Sequence, residues 1–210
     1  VSPVLAFYPA PLVHANPELV KYAASFETGA LRKLHSVVKE LQGRGHIRVI
    51  VAAMHTTILK VAKEYLLDKD PDIGDFFTYD GSVTRVQREK VKHKFLRCRQ
   101  GVLFLSIETG GTGLHLVDTP PYGCTGIIFF GSRPFPPALE MQTWKRIHRI
   151  GQTQECEKRH IICEGSVDYA IGMRHVDKRG LSNAVVAHDM SHFESGGASS
   201  PPLRLLCLHG

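Results

Sequence analysis

An α/β layer fold, with a parallel sheet covered by helices on both faces, is what this sequence predicts. Three observations carry that expectation. Strand-like and helix-like segments alternate along the chain. Most strand-like segments are continuously apolar, as in strands buried on both sides. At 210 residues the chain can bury one substantial core with a small appendage.

The elements follow in order. The opening "VSPVLAFYPAPLVHANPELV" has prolines at 3, 9, 11 and 17 and is expected to be irregular. "TGALRKLHSVVKEL" spaces Leu31, Leu34, Val38 and Leu41 as one helical face. "IRVIVAA" is a short β-branched run, hence a buried strand. "TTILKVAKEYLL" puts Ile58, Val61, Ala62, Tyr65 and Leu66 on one side of a helix. "DFFTYDG" is strand-like, and "TRVQREKVKHKFL" opens with a capping box, Thr84 with Gln87, into a basic helix. "GVLFLSI" is a buried strand ending in the turn "ETGGTGLHL"; "GIIFFG" is another, followed by the Pro-rich "SRPFPPA". A helix carrying "QTWKRIHRIGQ", a strand around "RHIIC" and a helix from about Val167 complete the alternation. The end, "SGGASSPPLRLLCLHG", is linker-like before a short apolar terminus.

Composition narrows the function classes. Lys+Arg exceed Asp+Glu by 26 to 20, which permits nucleic acid or a phosphorylated ligand as partner without requiring either. Five cysteines without a C-x-x-C pair argue against a zinc ribbon and against a secreted disulfide scaffold. His188 and His192 have metal-compatible spacing but no second ligand pair, so no metal ligand is assigned. No apolar run has the length of a membrane span, so no membrane association is expected. The chain opens on Val1 rather than Met and is expected to be a piece of a longer polypeptide.

Two segments carry chemistry. After the strand "GVLFLS", Gly110, Gly111 and Gly113 supply a backbone able to approach a ligand closely, and the N–H groups with the Thr112 hydroxyl can hold a phosphate. A tight connection explains the same glycines. The turn is not a P-loop, since the chain contains no Gly-Lys dipeptide; nor does it contain the Asp-Glu of an acidic Mg²⁺ box. The second segment is "QTWKRIHRIGQ". On a helix, Gln142, Arg146 and Arg149 at i, i+4 and i+7 share one face, while Met141, Trp144 and His148 share another. Two guanidinium forks match phosphate oxygens and suit a transferring γ-phosphoryl group; a solvated basic face paired with glutamates is the alternative.

In their order, "YDGSVTRVQREKVKHKF", "LSIETGGTGLHL" and "IIFFGSRPFPPALEMQTWKRIHRIGQ" resemble the second RecA-like lobe of helicase-superfamily-two ATPases, and more narrowly the Swi/Snf family of DNA translocases. "QTWKRIHRIGQ" fits that family's motif VI, Q-x-x-x-R-x-x-R-x-G-Q, at every fixed position; "GGTGLHL" fits motif V, "DGS" with Arg88 fits the segment between motifs IV and V, and "RVIVAA" stands where the motif IV strand belongs. The resemblance runs from "NPELV" to Phe193, and the run from 165 to 193 is similar to the recombination-repair and ATRX-type branch. Departures are Glu108 for the usual Lys, His115 for Asn, Phe135-Pro136-Pro137 for Trp-Asn-Pro, and Ala30 for Lys.

The resemblance implies the C-terminal lobe of an ATP-dependent double-stranded-DNA translocase or chromatin remodeller, nuclear, acting with ATP and Mg²⁺. The Mg²⁺ ligands and P-loop lysine are expected on a first lobe of the same polypeptide, without which the chain is expected to be inactive. It further implies Arg149 as arginine finger, Arg146 as second phosphate contact and Gln142 as their positioner, with Gly111 and Gly113 also at the nucleotide. Gly81, Ser82, Arg88, Gly110 and Thr112 are the implied DNA contacts, and chromatin or recombination proteins further partners. The rival is a scaffold module that has drifted from catalysis and binds DNA or protein; Glu108 and Pro136 favour it. The expected organisation is a lead-in over 1–28, the RecA-like lobe over 29–165, trailing helices over 166–194 and a flexible tail over 195–210.

Overall fold

The computed structural model describes residues 16–110, 114–117, 123–132, 134, 136–163, 170–171 and 205–208. Among them the elements run α1 (Pro17–Ser25), α2 (Gly29–Gly43), β1 (Arg48–Ala53), α3 (Thr56–Lys69), a 3₁₀ turn (Pro71–Ile73), β2 (Asp75–Tyr79) and α4 (Arg85–Arg97). Then come β3 (Gly101–Ser106), the short α5 (Ile107–Gly110), β4 (Gly126–Phe130), α6 (Pro137–Trp144), β5 (Glu157–Cys163) and β6 (Leu205–Leu208).

The strands form one sheet in the order β2-β3-β1-β4-β5-β6, every pair parallel. Parallel pairing follows from crossovers such as α3, α4 and α6, which return the chain to the same sheet end after β1, β2 and β4. In β1, Val49, Val51 and Ala53 point to one core, while Ile50 and Ala52 point to the other. Val102 and Phe104 of β3 and Ile128 of β4 join the first; Leu103, Leu105, Ile127 and Phe129 join the second. This two-sided burial is why the middle positions of those strands are apolar, with polar Arg48 and Ser106 confined to strand ends.

The first core is roofed by α1, α2 and α3. Leu31, Leu34, Val37, Val38 and Leu41 of α2 are buried, as the i, i+3, i+4, i+7 spacing anticipates. On α3 the buried set is Thr57, Leu59, Val61, Ala62, Tyr65 and Leu66, with Ile58 partly covered. Gly74 separates the 3₁₀ turn from β2 at φ 123°, where a Cβ would lie 2.6 Å from the Gln100 carbonyl oxygen, so only glycine fits.

Three expectations are corrected. The lead-in is not irregular throughout: residues 17–25 form α1, because Pro17 occupies a first-turn position and the Asn16 side chain accepts from the Glu18 N–H. Val20, Ala23 and Ala24 then join the first core. The apolar terminus is not simply tail: Leu205–Leu208 pairs in parallel with β5, Ile161 opposite Leu206. The helix of "QTWKRIHRIGQ" ends at Trp144, within the segment rather than beyond it. Ala170 and Ile171 are helical; the rest of the helix expected from Val167, the run carrying the branch resemblance, and His188 and His192 lie outside the described residues. No helix among the described residues is long and apolar enough to cross a membrane.

Candidate functional site

The chemistry-bearing segment starts on α6 and finishes in turns. Helix α6 buries Glu140, Thr143 and Trp144, and the chain then tightens: the Arg146 N–H bonds the Thr143 carbonyl (3.1 Å), and the Ile147 and His148 N–H groups bond that of Trp144. A final turn closes with the Gln152 N–H on the Arg149 carbonyl (3.0 Å). Its third residue, Gly151, has φ 96°, the left-handed value that such a turn demands. Gln152 then anchors the loop, its side-chain amide donating to the carbonyls of Ile147 (3.1 Å) and Cys124 (3.4 Å).

These turns keep the three sequence-predicted residues together by a route other than an unbroken helix. Gln142, Lys145, Arg146, His148, Arg149 and Ile150 line one open concavity of about 550 Å³. Arg149 is exposed and, among the described residues, pairs with no carboxylate. Arg146 is half-buried; its Nη1 donates to the Leu114 carbonyl (3.1 Å), and its own carbonyl accepts from the Leu116 N–H (3.1 Å). Burial, and then the like charge of Arg149, pull the Arg146 pKa below its ordinary value. An anion in the concavity would offset the repulsion between the two arginines.

The location departs from the strand-end rule for parallel sheets. Because α6 carries the chain back from the end of β4, and Gln152 bonds Cys124 just before β4 begins, the arginines hang beside the amino ends of β4 and β5.

Support comes from β5. Trp144 stacks on His148 (centroids 5.1 Å, 12° between planes), and Lys158 Nζ lies 5.4 Å from the Trp144 ring centroid on β5's side. The face predicted for Trp144 and His148 is therefore real, although Met141 is 39% exposed. Glu140, one turn before Trp144, sits within 3.4 Å of His160 Nε2 and 3.8 Å of Lys158 Nζ, and His160 stacks on Phe129 at 5.0 Å. Glu140 and His160 are buried, so the network is shielded from solvent.

The other predicted residues fall elsewhere. After β2, the Ser82 N–H and hydroxyl both donate to Asp80 Oδ1 (2.9 and 2.5 Å), leaving Gly81 and Ser82 exposed on a braced turn. Arg88 lies 5.6 Å over the Tyr79 ring, its Nε donating to the Val83 carbonyl (2.8 Å). The Thr84–Gln87 capping box forms as read from the sequence. Gly110 ends α5 and Glu108 is exposed on it; Gly111, Thr112, Gly113 and Phe135 lie outside the described residues. Among the described residues no group of three His, Cys, Asp or Glu side chains could hold a metal. Burial pushes the Cys124 thiol up, and that of Cys156 to about 11, so neither is a ready nucleophile.

Sequence reasoning missed Lys145 and His148 as lining residues and Gln152 as the loop's anchor. The Gly-Gln that closes the motif was the available signal: a left-handed turn followed by an amide able to satisfy loop carbonyls.

No protein-family model matches the chain. Curated relatives do: it is 28% identical over 167 residues to Helicase SWR1 of Debaryomyces hansenii and 26% identical over 179 residues to Chromatin-remodeling ATPase INO80 of Gibberella zeae. These alignments cover 79% and 85% of the chain but 10% and 9% of the relatives, so the chain spans about a tenth of their length. Among solved structures, the C-terminal part of the Fun30 ATPase domain superposes with a TM-score of 0.62 at 25% identity, covering 70% of this chain and 45% of that one. With motif VI intact and a RecA-like sheet beneath it, the chain is similar to helicase-like ATPases of the Swi/Snf family over about four-fifths of its length.

Proposed function

We propose that this chain is the C-terminal half of an ATP-driven translocase on double-stranded DNA. It supplies the arginine finger and part of the DNA track, and it is inactive until a first RecA-like lobe closes on it. One observation carries the reading: Gln142, Arg146 and Arg149 converge on an open concavity in which Arg149 has no carboxylate partner among the described residues. Left alone, such a cluster repels itself. A terminal phosphate held by a companion lobe is the counter-charge that fits it.

ATP would supply the phosphoryl group for transfer to water, with Mg²⁺ held by the first lobe. Arg149 contributes charge stabilisation to that group, and Arg146 makes the second phosphate contact. Gln142, on the last turns of α6, orients them. Gly111 and Gly113 complete the nucleotide wall, while Gly81, Ser82, Arg88, Gly110 and Thr112 hold phosphates of one DNA strand, contacts that carry no sequence information. The reciprocal Arg146–Leu114 and Leu116–Arg146 bonds give motif V a rigid link to the finger, so phosphate release can be felt at the track. Work on chromatin is what the name of a remodelling relative suggests for the longer protein; a nuclear setting and recombination partners are proposed on the family resemblance alone.

The test is DNA-stimulated ATP hydrolysis after a first lobe is joined or added. Wild type is expected to turn over and Arg149→Ala to lose about 10³–10⁵ in rate, with DNA binding retained. Equal phosphate release from both removes the finger role. A second reading, a DNA- or protein-binding scaffold, is favoured by exposed Glu108 beside the proposed track, where an acid weakens phosphate attraction. DNA binding with no hydrolysis from the joined lobes would establish it.

A further inference from the structure

The concavity that gathers the arginines contains a third fixed cation that the motor reading does not use. Lys145 lines it together with Gln142, Arg146, His148, Arg149 and Ile150, and no Asp or Glu is among these six. The motif that the segment matches fixes Gln142, Arg146, Arg149, Gly151 and Gln152. Position 145 is one of its free positions, so the lysine belongs to this chain rather than to the pattern. Lys145 is exposed, and among the described residues no carboxylate pairs with it.

A lysine that closes a helix is ordinarily explained by the carbonyl end of the helix dipole. Here those carbonyls are already answered. Helix α6 spans eight residues; Met141 accepts from the Lys145 N–H (2.9 Å), Thr143 from that of Arg146 (3.1 Å), and Trp144 from those of Ile147 and His148. The ammonium therefore adds a like charge beside two guanidinium groups without a local acid to balance it. A ligand that carries enough negative charge offsets that repulsion.

We propose that Lys145 makes the concavity a site for two linked phosphoryl groups, a phosphoanhydride, rather than for one. The inference rests on the reading of Arg146 and Arg149 as contacts to a terminal phosphate. One phosphoryl group carries a charge of about −1.5 to −2 near pH 7, short of the three positive charges of Lys145, Arg146 and Arg149. A linked second group supplies the remainder. At about 30 Å³ per water-sized group, the concavity of about 550 Å³ has room for both. The side chains divide the work by their chemistry. Planar guanidinium forks fix the orientation of the terminal group, while lysine is a point charge on a flexible stem, able to reach the next phosphorus along the chain. Lys145 thus distinguishes a ligand that still carries the anhydride from the single phosphate left by its hydrolysis.

The experiment titrates the 210-residue chain with inorganic pyrophosphate and with orthophosphate at fixed ionic strength. Binding is read from the fluorescence of Trp144, the chain's single tryptophan, whose ring stacks on the lining residue His148 at 5.1 Å. Calorimetry checks the affinities, and melting curves check that each variant is folded. Wild type is expected to favour pyrophosphate about tenfold, the effect of one charge-assisted contact. Lys145→Gln is expected to lose that preference while binding orthophosphate as wild type, and Lys145→Arg to keep most of it. Lys90→Gln, which removes the same charge from exposed α4 outside the concavity, is expected to change neither affinity. Arg149→Ala is expected to weaken both ligands. A Lys145→Gln chain that keeps the preference, or a Lys90→Gln chain that loses as much, overturns the proposal; the arginine site still stands if Arg149→Ala weakens both ligands. A wild-type chain that binds neither ion, or binds both regardless of Arg149, overturns it together with the phosphate reading of the concavity. A short DNA duplex is expected not to displace pyrophosphate. Displacement that depends on Lys145 would assign the lysine to a nucleic-acid backbone and overturn the proposal. If Lys145→Gln does not fold, Lys145→Ser is titrated in its place, and the same outcomes decide.

Discussion

The two faces of the sheet solve opposite problems. On the α1–α2–α3 face, several acids are paired off: Glu27 accepts from Lys69 (2.8 Å) and from the Tyr65 hydroxyl (3.0 Å), and Asp70 accepts from Lys39 and faces His35. Long helices there bury aliphatic side chains completely. On the α4–α6 face, helices are shorter or poorly buried, and the chain turns sharply past Trp144. Arg149, Lys90 and Lys94 meet no carboxylate there among the described residues. One face answers these acids internally. The other is left electrostatically incomplete, the condition for a surface that receives an anion.

The predictions are ways to break that contrast. The largest effect is the loss of turnover on Arg149→Ala with the melting temperature unchanged, measured on the two-lobe protein; a simultaneous drop in stability would mean that the arginine belongs to the packing. Leu34→Ala is its mirror image. This side chain is fully buried, and truncation is expected to cost about 2–5 kcal/mol in urea unfolding, without altering phosphate binding in the native fraction. Glu140→Ala tests the buried network between α6 and β5, because it strips a buried carboxylate from Lys158 and His160; a loss of about 3 kcal/mol is expected, read by thermal melts. Gln152→Ala frees two loop carbonyls and is expected to cost about 1–3 kcal/mol, with increased hydrogen exchange confined to the turn.

The smallest effect is the pH response of the settled face. Hydrogen bonds from Lys39 and then His35 hold the Asp70 pKa below its ordinary 3.8, and those from Lys69 and Tyr65 lower that of Glu27 from 4.5. A depressed carboxylate stabilises the fold above its unfolded pKa, and that contribution drains as pH falls through the lower folded value. Stability is therefore expected to be flat above about pH 5 and to fall below about pH 4 on this account. Asp70→Asn should flatten the acid limb by no more than about 1 kcal/mol, in melts recorded from about pH 3 to 6.

Much of the fold was legible in the residues. Continuous apolar runs marked β1, β3 and β4 because two-sided burial leaves polar residues only at strand ends, and the spacing of Leu31, Leu34, Val38 and Leu41 marked α2. Two elements were not. Proline-rich composition hid α1, since Pro17 serves as a helix start only once Asn16 caps it and α3 covers it. Strand β6 follows a run of Gly, Ser and Pro, and its pairing depends on β5, distant in sequence. At the site, the identity of Gln142, Arg146 and Arg149 was legible but their geometry was not. Helical periodicity placed them on a common face, whereas the helix stops at Trp144 and tight turns bring them together.

By itself, then, the amino-acid order determined which segments are strands and helices, which stripe of each is apolar, and which side chains bear the phosphate-matching charge, because these depend on spacing and chemistry within a short stretch of chain. Only the tertiary structure decided which charges find partners. Lys39 is neutralised by an aspartate thirty-one residues away and Arg146 is tied to Leu114 thirty-two residues back, while Arg149 meets no acid among the described residues. Pairing is a property of distance in space, and local spacing carries no information about it.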